Sequence, residues 1–193
     1  MKLGRTRCGL VAIVTLVAIL SPVAVLAQTV PAPVVIEGRT GPDSLYGLAR
    51  PAAWNGDLVV YAHGIIDVDA PIALPTANPA LAAMIDGWLQ AGFGVAYSSY
   101  DTNGYALKDG VQRTHQLKAR FTSQFGAPRR TFLVGHSLGG LIVLMLAERY
   151  PGQYDGVLPA CGVVGGTPLE IDYVGHARAV MDFLFPNVAS EVG

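Results

Sequence analysis

Cysteine is nearly missing from this chain, and what is present cannot build a framework: Cys8 precedes an apolar stretch near the start, and Cys161 stands alone after it. An odd cysteine in an oxidising compartment is either buried and inert or has lost its partner. Positive charge is scarce as well. Thirteen Lys and Arg face fourteen Asp and Glu, and because Lys2, Arg5 and Arg7 lie in the first few residues, the chain from Gln28 onward carries a net charge of −4. That balance gives no footprint for nucleic acid. No His or Cys clusters with the loop acids Asp67, Asp69 and Asp101 at ligand spacing, so no metal and no cofactor is expected, and these carboxylates read as ordinary solvated loop residues. Repeats and low-complexity tracts are missing too. The one long apolar run, Leu10 to Leu20, falls short of the about 20 residues that a spanning helix needs.

What is present begins with that run. The three early cations precede it and Ser21-Pro22 follows, with Val25 and Ala27 placed for a cut before Gln28, the pattern of a secretory signal peptide. Residues 1–27 are therefore expected to be removed and the rest secreted or periplasmic, with no stable membrane anchor. Cys8 lies before the apolar run, the wrong place for a lipid-modified cysteine. About 166 residues are left, enough for one domain with a real core.

The most informative stretch is Gly135-His136-Ser137-Leu138-Gly139-Gly140, which fits G-x-S-x-G. A strand-like run, Arg130 to Val134, precedes it, and a helix-like run, Leu138 to Tyr150, follows. This is the context of a nucleophile elbow, in which a strand turns sharply into a helix and only small residues fit beside the serine. Gly135 and Gly139 meet that need. The turn also leaves the Leu138 backbone N–H unpaired at a helix N-terminus, able to donate to a developing oxyanion. The competing reading is a glycine-rich turn whose serine merely caps the helix.

Around the elbow, strands and helices alternate. Residues 28–56 read as a leader with a possible short edge strand at Val34-Val35-Ile36. Asp57 to Ala62 reads as a buried strand ending at His63-Gly64, and a core-facing helix opens at Pro79 and closes before Gly92. A strand over Val95 to Tyr100, a helix over Val111 to Phe125, a strand over Gly156 to Ala160 and a helix over Leu169 to Phe185 complete the order. Such alternation predicts an α/β domain over residues 57–193, with a mostly parallel sheet, helices on both faces and catalytic groups at the carboxyl ends of the strands.

On three features, Val59-Val60-Tyr61-Ala62-His63-Gly64, the elbow, and the element order joining them, residues 57–185 resemble the α/β-hydrolase superfamily, in particular its serine esterases and lipases. The resemblance implies Ser137 as nucleophile and two oxyanion-hole donors, the backbone N–H groups of Ile65 and Leu138. It makes His63, Gly64, Gly135 and Gly139 supports of the motif. It also implies an Asp or Glu and then a His on loops after later strands, and no such residues occur before Gly193. Asp172 and His176 share a helix face and read as a solvated surface pair. His136 reads as pointing away from the nucleophile, and His115 as packed or solvated mid-helix. An incomplete, C-terminally truncated hydrolase is the expectation, with an uncovered sheet edge and poor solubility to match.

The function expected is cleavage of a small-molecule carboxylic ester through an acyl-enzyme on Ser137. A serine peptidase of the same fold is the alternative enzyme. A non-catalytic remnant or binding protein is the alternative from another class, since a fold alone does not grant activity. Tyr97, Tyr100 and Tyr105 could line an acyl or aromatic pocket, although tyrosine is common in strands anyway.

Overall fold

The computed structural model describes residues 31–186, so the expected signal peptide, with Cys8, lies outside the described residues. Within them the chain runs β1 (Val34–Thr40), β2 (Ser44–Arg50), β3 (Asp57–Ala62), α1 (Pro79–Gln90), β4 (Gly94–Ser98), α2 (Leu107–Phe125), β5 (Arg130–His136), α3 (Leu138–Arg149), β6 (Gly156–Ala160) and α4 (Thr167–Leu184). All the strands join one sheet in the order β1-β2-β4-β3-β5-β6. The four strands β4, β3, β5 and β6 are parallel, and the β1–β2 hairpin adds to β4 antiparallel.

Alternation along the central strands sorts side chains to two layers. Leu58, Val60 and Ala62 of β3 and Ala96 of β4 pack with Leu117 and Phe121 of α2 and Ile142 and Leu146 of α3. Tyr61, Val95 and Tyr97 face the other way, toward Ile85 and Leu89 of α1. Helices therefore cover both faces, as the alternation predicts. α1 starts where it does because the Asn78 side chain accepts hydrogen bonds from the N–H groups of Ala80 and Leu81, while Pro79 takes the first position, where no donor is needed.

Two differences from the sequence reading have local causes. β2 was not expected, because Ser44-Leu-Tyr-Gly-Leu-Ala-Arg50 has no β-branched run, yet seven residues pair there. Its glycine is needed: a Cβ on Gly47 would collide with the Tyr97 ring of the neighbouring strand. The Ser44 and Ser98 hydroxyls are 3.0 Å apart, and the Ser99 hydroxyl accepts from Leu45 N–H at 2.9 Å, so side chains reinforce the pairing. α2 starts at Leu107 instead of Val111, running through Gly110, where Ile142 and the Tyr100 ring occupy the space a side chain would take. A first-turn glycine that serves close packing reads in sequence as a break.

The start of β3 is tied down by charge. The Asp57 side chain, 2 % exposed, takes Arg129 at 3.1 Å and Arg130 at 2.5 Å. These guanidinium hydrogen bonds, Arg130 foremost, lower its pKa to about 2.

Candidate active site

The carboxyl ends of β3 and β5 meet at the elbow, with Ala62 opposite Gly135 in the ladder. β5 ends at His136, α3 begins at Leu138, and Ser137 makes the whole turn between them. Its backbone sits at φ 53°, ψ −123°, a conformation that side chains rarely adopt and that persists only where the surroundings enforce it. The enforcement is visible in the glycines. A Cβ on Gly135 would run into the Gly139 carbonyl, one on Gly139 into the Ala62 carbonyl, and one on Gly140 would meet the Gly162 Cα. The Ser137 N–H donates to the Ala160 carbonyl at 3.1 Å, which ties the turn to β6 as well. Although it occupies the N-cap position, Ser137 makes no side-chain cap bond, so its hydroxyl is not committed to the helix. The reading of Ser137 as a simple cap therefore has no support in the geometry.

His63-Gly64 arrives beside the serine from β3. A Cβ on Gly64 would lie 3.1 Å from Ser137 Cβ and 3.0 Å from His136 Nε2, so any larger residue here would press on the serine and the imidazole. Ile65 follows immediately, with its side chain 53 % exposed. Leu138 is the first residue of α3, where a backbone N–H has no partner within the helix.

The histidines around the site are held by other groups. His63 is buried and donates from Nδ1 to the Gly64 carbonyl at 2.7 Å. Its ring stacks on Tyr100 at 3.9 Å, and the Tyr100 hydroxyl donates to the His63 carbonyl at 3.0 Å. Burial lowers the His63 pKa, so the ring is neutral near pH 7. His136 lies 2.7 Å by Nδ1 from the Tyr61 hydroxyl. Burial pushes the Tyr61 pKa up and the His136 pKa down, so the phenol keeps its proton and donates to a neutral imidazole. His115, on α2, stacks on Tyr150 at 3.8 Å and bonds the Tyr154 hydroxyl. His176 and Asp172 lie on α4, which buries none of its residues. Among the described residues, no histidine makes a hydrogen bond to Ser137.

The other candidates separate cleanly. Asp101 accepts from Arg113 Nε at 2.8 Å and from Ser44 N–H at 3.2 Å, and Asp67 caps the Asp69 N–H at 2.9 Å, so both serve loop structure. Of the tyrosines weighed for a pocket, Tyr97 belongs to the α1 layer and Tyr100 to the support of His63; Tyr105 borders an open cavity. Cys161 is exposed, which overturns the buried alternative; it follows β6 at φ 47°. Tyr61 and Tyr100 are the supporting residues that sequence reasoning did not find. Tyr61 lies in a quoted strand, but nothing in an alternating pattern says which ring its hydroxyl will meet.

A family model described as a tannase-like family of unknown function (DUF6351) matches residues 38–168. No curated protein matches the chain. Among solved structures, it is similar to an arylesterase, at 14 % identity and a TM-score of 0.51, over 68 % of this chain and 46 % of that one. It is also similar to a lipase in its open form (22 % identity, TM-score 0.49, 65 % of this chain and 43 % of that one). A third is brefeldin A esterase, a bacterial homologue of human hormone-sensitive lipase (19 % identity, TM-score 0.45, 70 % and 42 %). The chain thus spans less than half the length of each of these three structures. The likeness to the arylesterase is one of fold, that of the α/β-hydrolases.

Proposed function

Since this chain belongs to the tannase-like family matched over residues 38–168, we propose that it is the elbow-bearing part of a secreted serine hydrolase that cleaves carboxylic esters. The observation that carries the reading is Ser137, held at positive φ by glycines on both sides with a hydroxyl that caps nothing. A serine that only ended a strand would not need this strain.

In the proposed reaction the Ser137 Oγ attacks the ester carbonyl carbon, and its proton passes to a histidine base. The Oγ–acyl bond forms, the bond to the alcohol oxygen breaks, and the base returns the proton to that oxygen as it leaves. Water then repeats the sequence on the acyl-enzyme and frees the acid. The negative carbonyl oxygen of each tetrahedral intermediate takes the N–H groups of Ile65 and Leu138, and losing one such donor slows a serine hydrolase by about two to three orders of magnitude. His63 and Gly64 serve by shape: the buried ring and Tyr100 hold the strand end, and the glycine lets Ile65 come close. Neither histidine at the elbow is assigned as the base, because His63 is bound to the Gly64 carbonyl and His136 to the Tyr61 hydroxyl.

The test is made on the protein as its own host produces it, with its intact mass measured first. Treatment with a fluorophosphonate should label it on Ser137, and Ser137→Ala should abolish both labelling and hydrolysis of p-nitrophenyl esters. Absence of labelling overturns the enzyme reading in favour of a binding protein on a hydrolase scaffold. Cleavage of a p-nitroanilide in preference to the ester would make it a peptidase.

A further inference from the structure

A cavity of about 620 Å³ opens beside the elbow, between the loop that follows β3 and the helix that follows β6. Ile65 and Tyr105 line it together with Ile171, Val174 and Gly175 of α4. Its position is set by the chain itself. Gly64 packs against Ser137, and the next residue, Ile65, lines the cavity.

The wall is apolar and uncovered. Ile65 is 53 %, Ile171 64 % and Val174 58 % exposed, and each loses unfavourable water contact when an apolar group lies against it. The α4 side is anchored at its first turn, where the Tyr105 hydroxyl and the Thr167 hydroxyl stand 2.5 Å apart. Room also exists within the wall: a Cβ on Gly175 would meet nothing within 4 Å. Of the two charges at the cavity, Arg178 is held by Asp182 at 2.8 Å, one turn further along the helix. The site is an open groove, and its volume is well beyond what an acetyl group fills.

We infer that this cavity receives a bulky, mainly apolar group of the ester, and that Ile171, Val174 and Gly175 set the size it accepts. The inference rests on the esterase reading of Ser137. The apolar group belongs either to the acyl side or to the alcohol side of the ester, and the two are told apart by substrate pairs.

The acyl arm compares kcat/KM for p-nitrophenyl hexanoate with that for p-nitrophenyl acetate, and the alcohol arm compares hexyl acetate with ethyl acetate, on the protein isolated from its host. Gly175→Phe, which fills the space, should lower one of these ratios at least tenfold, and Ile171→Asp, which makes the wall polar, should lower the same one. Gly87→Phe is the control, since Gly87 is a helical glycine on α1 that also faces open space. It should leave both ratios as they are. Binding of 2-octanone, followed by saturation-transfer NMR, reports on the cavity without any chemistry: the signal should fall in Gly175→Phe and persist in Gly87→Phe. Fluorophosphonate labelling of Ser137 with both ratios and ketone binding unchanged in Gly175→Phe overturns the cavity assignment alone. Loss of ketone binding in Gly175→Phe from a protein whose Ser137 does not label keeps the cavity as a binding site and removes the esterase reading.

Discussion

α3 and α4 each follow a parallel strand and each is rich in apolar residues, yet one is buried along most of its length and the other nowhere. In α3, Leu138 to Val143 and Leu146 are all buried. α4 is longer, and Leu169, Ile171, Val174, Val180, Met181 and Phe183 are all exposed. The difference is one of cover. α3 lies against β3, β5 and α2, while α4 follows the edge strand β6 in the chain and faces the loop residues Ile65 and Tyr105 across the cavity. Apolar content thus selects a helix for burial, and only a neighbouring layer carries it out. The strained serine belongs to the well-packed side, where a rigid surround can hold it. The size-selecting wall belongs to the sparsely packed side, where apolar surface is left over for a ligand.

Substitutions can break or sharpen this contrast. The largest effect is expected from Gly139→Ala, whose methyl group would strike the carbonyls of Ala62 and His63 at the end of β3. It should destabilise the fold by about 4 kcal/mol, seen in urea denaturation, and abolish fluorophosphonate labelling. Ile142→Ala empties a fully buried position under the sheet and should cost about 3 kcal/mol, whereas truncating any one of the exposed α4 residues should cost far less.

Asp57 should matter next. Asp57→Asn keeps the shape but loses both arginines, and a fall in Tm of about 3–6 °C at pH 7 is expected. The pH dependence has a definite sign. The unfolded chain takes up a proton on this carboxylate near pH 4, while the folded chain keeps it charged until about pH 2, so the contribution is complete above pH 4 and disappears as the pH falls toward 2. A thermal melting series between pH 5 and pH 2 should show the wild type losing more Tm than Asp57→Asn. The smallest effect reverses sign: Gly175→Ala, the same change as at Gly139 but in open space on α4, should raise stability by up to about 1 kcal/mol. A large loss there would mean that α4 is packed against something in solution.

Much of the fold was legible because the signals are local. Pro79 announces α1, the apolar run of β3 announces a buried strand, and the small residues at 135 and 139 announce the elbow. β2 escaped because its pairing is decided by partners outside it: Gly47 by the Tyr97 ring and Ser44 by Ser98. The first turn of α2 escaped for the same reason, since Gly110 is small to admit Ile142 of another helix. At the site, Ser137 and its glycines were readable, and the ring partners were not. Which hydroxyl meets His136 depends on the register of β3 against β5, which places Tyr61 beside Val134, one residue short of the elbow glycine.

Alone, the sequence determined the order of the parallel strands and their helices, the position of the turn and the serine at its apex, because backbone freedom, hydrophobic period and capping are properties of neighbouring residues. Only the tertiary structure decided that the Ser137 hydroxyl is free of the helix cap, that the nearby histidines are held by Gly64 and Tyr61, and that α4 leaves a cavity beside Ile65. Those outcomes depend on which surfaces meet across the sheet, and contact between residues far apart in the chain is set by the packing of whole layers.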